Sequence, residues 1–168
     1  MGDPKRRRKK AESPKKPWDP ALLEYELRLL GEYGLKNRRE LRTLASLLRR
    51  IRKVARATFA LSDKERMKAT EEILAKMRKM GLIHEGGNID DVLKLSLEDL
   101  LNRRLQTIVF RKGLARSIYE ARQLITHGHI MVGDRVIRKP GKLLKAGEEE
   151  LVTINPRSPL AKREVVTG

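Results

Sequence analysis

Cysteine is absent from all 168 residues. That removes disulfides, cysteine-ligated zinc, iron–sulfur clusters and thiol catalysis together, so the fold must rest on burial alone. Aromatic residues are scarce, with one Trp, three Tyr and two Phe, and apolar residues make up 39% of the chain. Such a composition supports a modest core, or two small ones, rather than one large one. No apolar run reaches the roughly 18 residues a bilayer-spanning helix needs. The basic N-terminus is followed by Pro14, Pro17 and Asp19 where the apolar stretch of a secretory signal would begin. The expectation is a cytoplasmic protein with no membrane partner. Catalytic hardware is missing too: the first hundred residues hold no phosphate-cradling glycine loop, no nucleophile with a base and no convergent carboxylates, which predicts a protein that is not an enzyme. Of the three histidines, His84 reads as a loop residue, and His127 and His129 stand two apart without a third ligand. No metal or other cofactor is expected.

What the chain has in excess is positive charge, 39 Lys and Arg against 22 Asp and Glu, for a net +17. The excess comes in blocks. Residues 1–17 hold eight cations and two acids, 36–56 nine and one, and 101–142 ten and two. Elsewhere the two signs balance or acids prevail. A solvated face normally mixes signs, so blocks of one sign point to a polyanionic partner, and nucleic acid is the first candidate.

Periodicity divides the chain into a tail and two structured regions. Residues 1–17, basic and proline-bearing, cannot bury enough apolar surface to offset ordering entropy and are expected to form a disordered arm. Asp19-Pro20 is a helix start, and Leu22, Leu23, Leu27 and Leu30 follow at helical spacing to Gly31. A longer helix is predicted from about Asn37 to Phe59, with Leu41, Leu44, Leu48, Ile51 and Ala55 on one stripe and Arg38, Arg42, Arg49, Lys53 and Arg56 largely off it. Ser62 to Glu65 has the pattern of a capping box, ahead of a third helix whose inner face is Met67, Thr70, Ile73, Leu74 and Met77. Trp18 fits either a staple against the first helix or an exposed ring for stacking on a base. After the His84–Asn88 linker and a short turn of helix near Asp90–Leu95, Ser96 opens a helix expected to run through about Arg111, and Ser117 opens another through about His127. The period then changes from 3.6 to 2: Ile130 and Val132 face one way, Gly133-Asp134 reads as a tight turn, Val136 resumes, and Leu151–Ile154 makes a last strand. The tail from Asn155 is polar and expected to be irregular.

Two helices beside a hairpin give a compact surface for basic side chains. Arg103, Thr107 and Arg111 are spaced i, i+4, i+8 with Leu101, Leu105 and Ile108 inward, and Arg104 and Lys112 flank them. Tyr119, Arg122, Gln123 and Thr126 share a face opposite Ile118, Ala121 and Ile125. Arg116 and Ser117 lie at a helix N-terminus, where free N–H groups favour a phosphate. His127 and His129 stand at the following corner, and Lys139 continues the basic run.

The motifs Arg103-Arg104-Leu105-Gln106, Arg111-Lys112-Gly113-Leu114-Ala115, Ala121-Arg122-Gln123-Leu124-Ile125, His127-Gly128-His129-Ile130 and Val132 to Val136 occur in the order in which they resemble an alpha-L RNA-binding module. That module is found in ribosomal proteins, some pseudouridine synthases and bacterial-type tyrosyl-tRNA synthetases. Glu32-Tyr33-Gly34-Leu35-Lys36-Asn37-Arg38-Arg39-Glu40-Leu41, with Ile51-Arg52 and Ala55-Arg56, resembles the N-terminal lobe of archaeal-type small-subunit ribosomal proteins of the universal fourth family. The resemblance covers nearly the whole chain. It implies an α+β fold made of a helical N-terminal lobe (18–95), an alpha-L module (96–155) and a C-terminal tail (156–168). It further implies a structural constituent that binds small-subunit rRNA early in assembly, meets neighbouring ribosomal proteins and helps line the channel through which mRNA enters. Arg38, Arg39, Arg42, Arg49, Lys53, Arg56, Arg103, Arg104, Arg111, Lys112, Arg116, Ser117, Arg122, Gln123, His127, His129 and Lys139 become expected rRNA contacts. Many bacterial members bind zinc through N-terminal cysteines that this chain lacks. A ribosome-associated RNA chaperone or other RNA-binding protein with the same module is the alternative; an rRNA-modifying enzyme would need a catalytic domain for which no length remains.

Overall fold

The computed structural model describes residues 10–162. The expectation for residues 1–9 lies outside them, and residues 10–17 form no helix or strand. Seven helices are described: α1 (Pro20–Glu32), α2 (Arg38–Ala57), α3 (Asp63–Lys79), α4 (Ile89–Lys94), α5 (Leu97–Asn102), α6 (Leu105–Arg111) and α7 (Ile118–Thr126). They are joined by strands β1 (Ile130–Val132), β2 (Arg135–Val136) and β3 (Val152–Ile154), in an antiparallel sheet of order β2-β1-β3. The fold is α+β.

Local signals explain most of the boundaries. Asp19 accepts from the Ala21 N–H with proline at the first helical position, Asn37 accepts from Glu40, and Ser96 and Asp99 cap each other's backbone reciprocally. Ser62 departs from its expected box, because its hydroxyl donates to the Glu65 carboxylate and leaves the backbone uncapped. Pairing of Val132 with Arg135 leaves Gly133-Asp134 as a two-residue turn, with Gly133 at φ 60°.

Three apolar clusters hold these elements. In the module, Leu105, Val109, Ala121, Ile125, Ile130, Leu144 and Val152 pack together. Leu29, Tyr33, Leu41 and Leu44 meet Leu101 in a second cluster, and Leu48, Ala55, Met77 and Val92 meet Leu100 in a third. Leucines 100 and 101 both belong to α5, so this helix packs with α1–α4.

Several expected faces are turned. On α1 the buried residues are Glu26 and Leu29, while Leu27 is exposed, because Glu26 faces inward to receive arginines from α2. Met67 stands on the outer side of α3, which leaves Met77 as that helix's buried anchor. Trp18 is 85% exposed and staples nothing. In the hairpin, Val136 pairs with Met131 and is exposed, whereas Ile137, whose N–H donates to the Ile130 carbonyl, packs on the core.

The helix expected from Ser96 to Arg111 is broken at Arg103-Arg104. Arg104 has extended backbone (φ −72°, ψ 140°), and the 140–144 loop inserts there: Leu105 N–H donates to the Lys142 carbonyl and Leu144 N–H to the Arg103 carbonyl. The break resets the helical phase, so Thr107 is buried and its hydroxyl donates to the Leu101 carbonyl. The tail as far as Leu160 is also more ordered than its composition suggests, and the expectation for residues 163–168 lies outside the described residues. Asn155 N–H donates to the His129 carbonyl, buried Ser158 bonds His129 Nδ1 at 2.8 Å, and Leu160 packs on the module core.

Candidate nucleic-acid interface

On α2 the apolar and basic stripes lie on opposite sides of one helix, as 100° per residue requires. Leu41, Leu44, Leu48 and Ala55 are buried, whereas Arg39, Arg49, Arg50, Lys53 and Arg56 are exposed. Arg42 turns back to α1, donating Nε and Nη2 to the Glu26 carboxylate at 3.0 Å each, and Arg38 Nε lies 3.6 Å from the same group. Arg49 meets Glu12 of the N-terminal arm at 2.7 Å, and the Glu12 N–H donates to Ser46. Arg52 donates to the Leu95 carbonyl. The side chains of Arg39, Arg50, Lys53 and Arg56 have no partner among the described residues, so an outward row of free cations remains on this helix.

The module's arginines divide differently. Arg104 is 3% exposed and donates Nη2 to Glu40 Oε2 at 2.8 Å. Arg122, expected on an open face of α7, is instead half-buried and donates Nη2 to Glu40 Oε1 at 2.6 Å and Nη1 to Oε2 at 3.2 Å. Burial alone would raise the Glu40 carboxyl, but hydrogen bonds from Arg122 and Arg104, and then their charges, hold it below the ordinary carboxylate value. Arg103 pairs with Glu149 and donates Nη2 to the Leu144 carbonyl at 3.2 Å. A Cβ at Gly81 would lie 2.6 Å from that same Nη2. Burial lowers the Arg103 and Arg104 pKa values, as it must for a charge leaving water, yet a guanidinium keeps its proton across any useful pH. These three arginines, each expected as an RNA contact, therefore join parts of the protein to one another.

The remaining expected residues of the module stay at the surface except His129, which is half-buried with its ring bonded to Ser158. Arg111 donates to Asn102 Oδ1, which also accepts from the Tyr33 hydroxyl, and exposed Lys112 donates to the Glu150 carbonyl at 3.1 Å. Burial pushes the Tyr33 hydroxyl pKa up, which keeps it a neutral donor. Ser117 accepts from the Glu120 N–H, and the Glu120 carboxylate accepts from the Arg116 N–H, so this helix start already faces an anion of its own. The Arg116 side chain, Gln123, His127 and Lys139 are exposed. Periodicity missed Arg50, which continues the α2 row, and Arg135 and Arg138 of the hairpin, all exposed and without a side-chain partner among the described residues. A Cβ at Gly128 would lie 3.1 Å from Arg138 Nε, so this guanidinium covers the glycine between His127 and His129. Helical spacing from Lys53 would have found Arg50, and hairpin register would have found Arg135. No group of three or more His, Asp or Glu among the described residues is disposed to hold a metal, and no described helix is long and apolar enough to cross a membrane.

A small α+β scaffold whose outward cations lie on one long helix and on a helix–hairpin module defines the class: a basic RNA-binding protein, and residues 103–150 match the S4 domain family. Similarity extends well beyond that domain. The chain is 52% identical over 165 residues to the small ribosomal subunit protein uS4 of Hyperthermus butylicus, covering 98% of this chain and 94% of that protein. It is 47% identical to the protein of the same name from Ignicoccus hospitalis (97% and 98% covered) and 45% identical to that from Metallosphaera sedula (100% and 94%). The chain belongs to the uS4 family of small-subunit ribosomal proteins.

Proposed function

We propose that this protein is a structural constituent of the small ribosomal subunit and binds small-subunit rRNA through two surfaces, the outer row of α2 and the helix–hairpin face of the module. The observation that carries the reading is the sorting of charge. Inward arginines are matched to Glu26, Glu40 and Glu149, while Arg39, Arg50, Lys53, Arg56, Arg135, Arg138 and Lys139 project outward without an acid partner among the described residues. A surface left so unbalanced costs self-repulsion unless a polyanion neutralises it. The family's ribosomal role supports binding early in subunit assembly, contact with neighbouring ribosomal proteins in the cytoplasm, and a place near the path by which mRNA enters. The names of relatives matched over nearly their full length favour this over a free-standing RNA chaperone, and they favour a structural over an enzymatic role.

Titration of the full chain with the 5′ domain of small-subunit rRNA tests the proposal against an unrelated folded RNA of equal length. The 5′ domain should bind more tightly at physiological salt, with affinity falling steeply as salt rises because phosphate contacts release counterions. Equal affinity for the two RNAs overturns the ribosomal reading.

A further inference from the structure

We propose that Glu40 is a positioning residue for RNA binding: it locks the basic row of α2 at a fixed angle to the module, so that one folded RNA can engage both. The proposal rests on the RNA-binding reading above. Glu40 is the one acid among nine cations in residues 36–56, in the first turn of α2. An acid placed there merely for solubility would face water. Instead both its oxygens are taken by arginines 64 and 82 residues further along, Arg104 at the start of α6 and Arg122 on α7. A forked pair with Arg122 and a single bond from Arg104 on one carboxylate fix direction as well as distance.

A second bracket sits beside the first. Gln106 is fully buried, and its Nε2 donates to the Gly34 carbonyl at 2.9 Å, ahead of α2, and to the Ile118 carbonyl at 3.0 Å, on α7. Its Oε1 accepts from Arg122 Nη1 at 3.4 Å, tying the bracket to the fork. Gly34 has φ +55°, and a Cβ there would lie 2.7 Å from Ile118 Cγ2 and 2.8 Å from Gln106 Nε2. Only glycine permits this approach of the two lobes. Apolar contacts nearby, such as Leu101 against Leu41 and Leu44, tolerate sliding, whereas these bonds admit one orientation. A rigid pair of surfaces makes the second RNA contact effectively intramolecular, which raises affinity without a new contact.

The sign of the effect separates positioning from simple electrostatics. Glu40→Gln adds a unit of positive charge beside the RNA surface, so charge alone makes the variant bind the 5′ domain more tightly. Loss of positioning makes it bind about tenfold more weakly. Because the chain has no cysteine, Met67→Cys and Tyr119→Cys provide two unique exposed sites for spin labels, one on each lobe. The wild-type background should give a narrow interlobe distance distribution, and Glu40→Gln a broadened or shifted one. A short RNA duplex too small to span both surfaces should bind Glu40→Gln at least as tightly as wild type, an outcome that general unfolding would not give. An unchanged distance distribution, or 5′-domain affinity at or above wild type, overturns the proposal. If Glu40→Gln fails to fold, Arg122→Gln leaves the Glu40–Arg104 pair in place, and its distance distribution decides in the same way. Failure of the wild-type chain to prefer the 5′ domain sinks the ribosomal reading instead, and leaves the distance measurement to judge the lock.

Discussion

On α2, Lys53 and Arg56 extend into solvent with no acid in reach, whereas at the head of the module Arg104 is 3% exposed and closes on Glu40. Both sites lie in blocks of the sequence with nearly the same excess of cations. The difference is made by acids distant in the chain: Glu40 and Glu149 draw arginines of the module inward, and Glu26 and Glu12 draw only part of the α2 row. A basic block thus states how much charge is present. It leaves open which cations hold the protein together and which remain for a partner.

Mutations can break that comparison. The largest effect is expected at Arg104. Replacement by Met leaves Glu40 with Arg122 alone and should cost about 3 kcal/mol of stability, near the low end for removing one member of a buried pair. Urea unfolding measures it, and a loss under about 1 kcal/mol would place Arg104 with the free surface cations. The combined change Lys53→Glu and Arg56→Glu should do the opposite. Stability should move by under about 0.5 kcal/mol, while 5′-domain binding weakens by about 2 kcal/mol. Intact binding would remove the α2 row from the interface. The smallest effect concerns pH. The Glu40 carboxyl is held below its unfolded value of about 4.3, so its contribution is present in full above that pH and is lost as pH falls through the folded value. The gap in urea midpoint between wild type and Glu40→Gln should be constant near neutrality and close in acid. A gap that persists unchanged at low pH would mean the carboxylate's charge does not act in the lock.

Much of this architecture was legible in the residues. Caps at Asp19, Asn37 and Ser96, the two-sided pattern of α2, and the turn at Gly133-Asp134 are local, and local chemistry decides them. The motifs resembling the family extended that reading to the fold. What stayed hidden depends on distant partners. The break at Arg103-Arg104 exists because the 140–144 loop supplies backbone bonds, and the inward turn of Arg122 exists because Glu40 lies 82 residues away. Glu26 defeated the α1 periodicity for the same reason, since a buried carboxylate is intelligible only once Arg42 is seen beside it. For the candidate interface, sequence supplied most cations of α2, those of the module helices and Lys139, missed Arg50, Arg135 and Arg138, and could not sort the set into inward and outward members.

Leu143 has a further consequence, for the order in which the chain can fold as it is made. It packs against both clusters formed by α1–α5, although it lies in a loop that follows β2. The Lys79 carbonyl likewise waits for the Ala146 N–H. As the chain emerges from its amino end, the first hundred residues can form their helices but keep a gap in their packing, and Glu40 keeps an empty carboxylate. Residues 104, 122 and 143 fill these places one after another, so the last step of maturation is the closing of an early half by a late one.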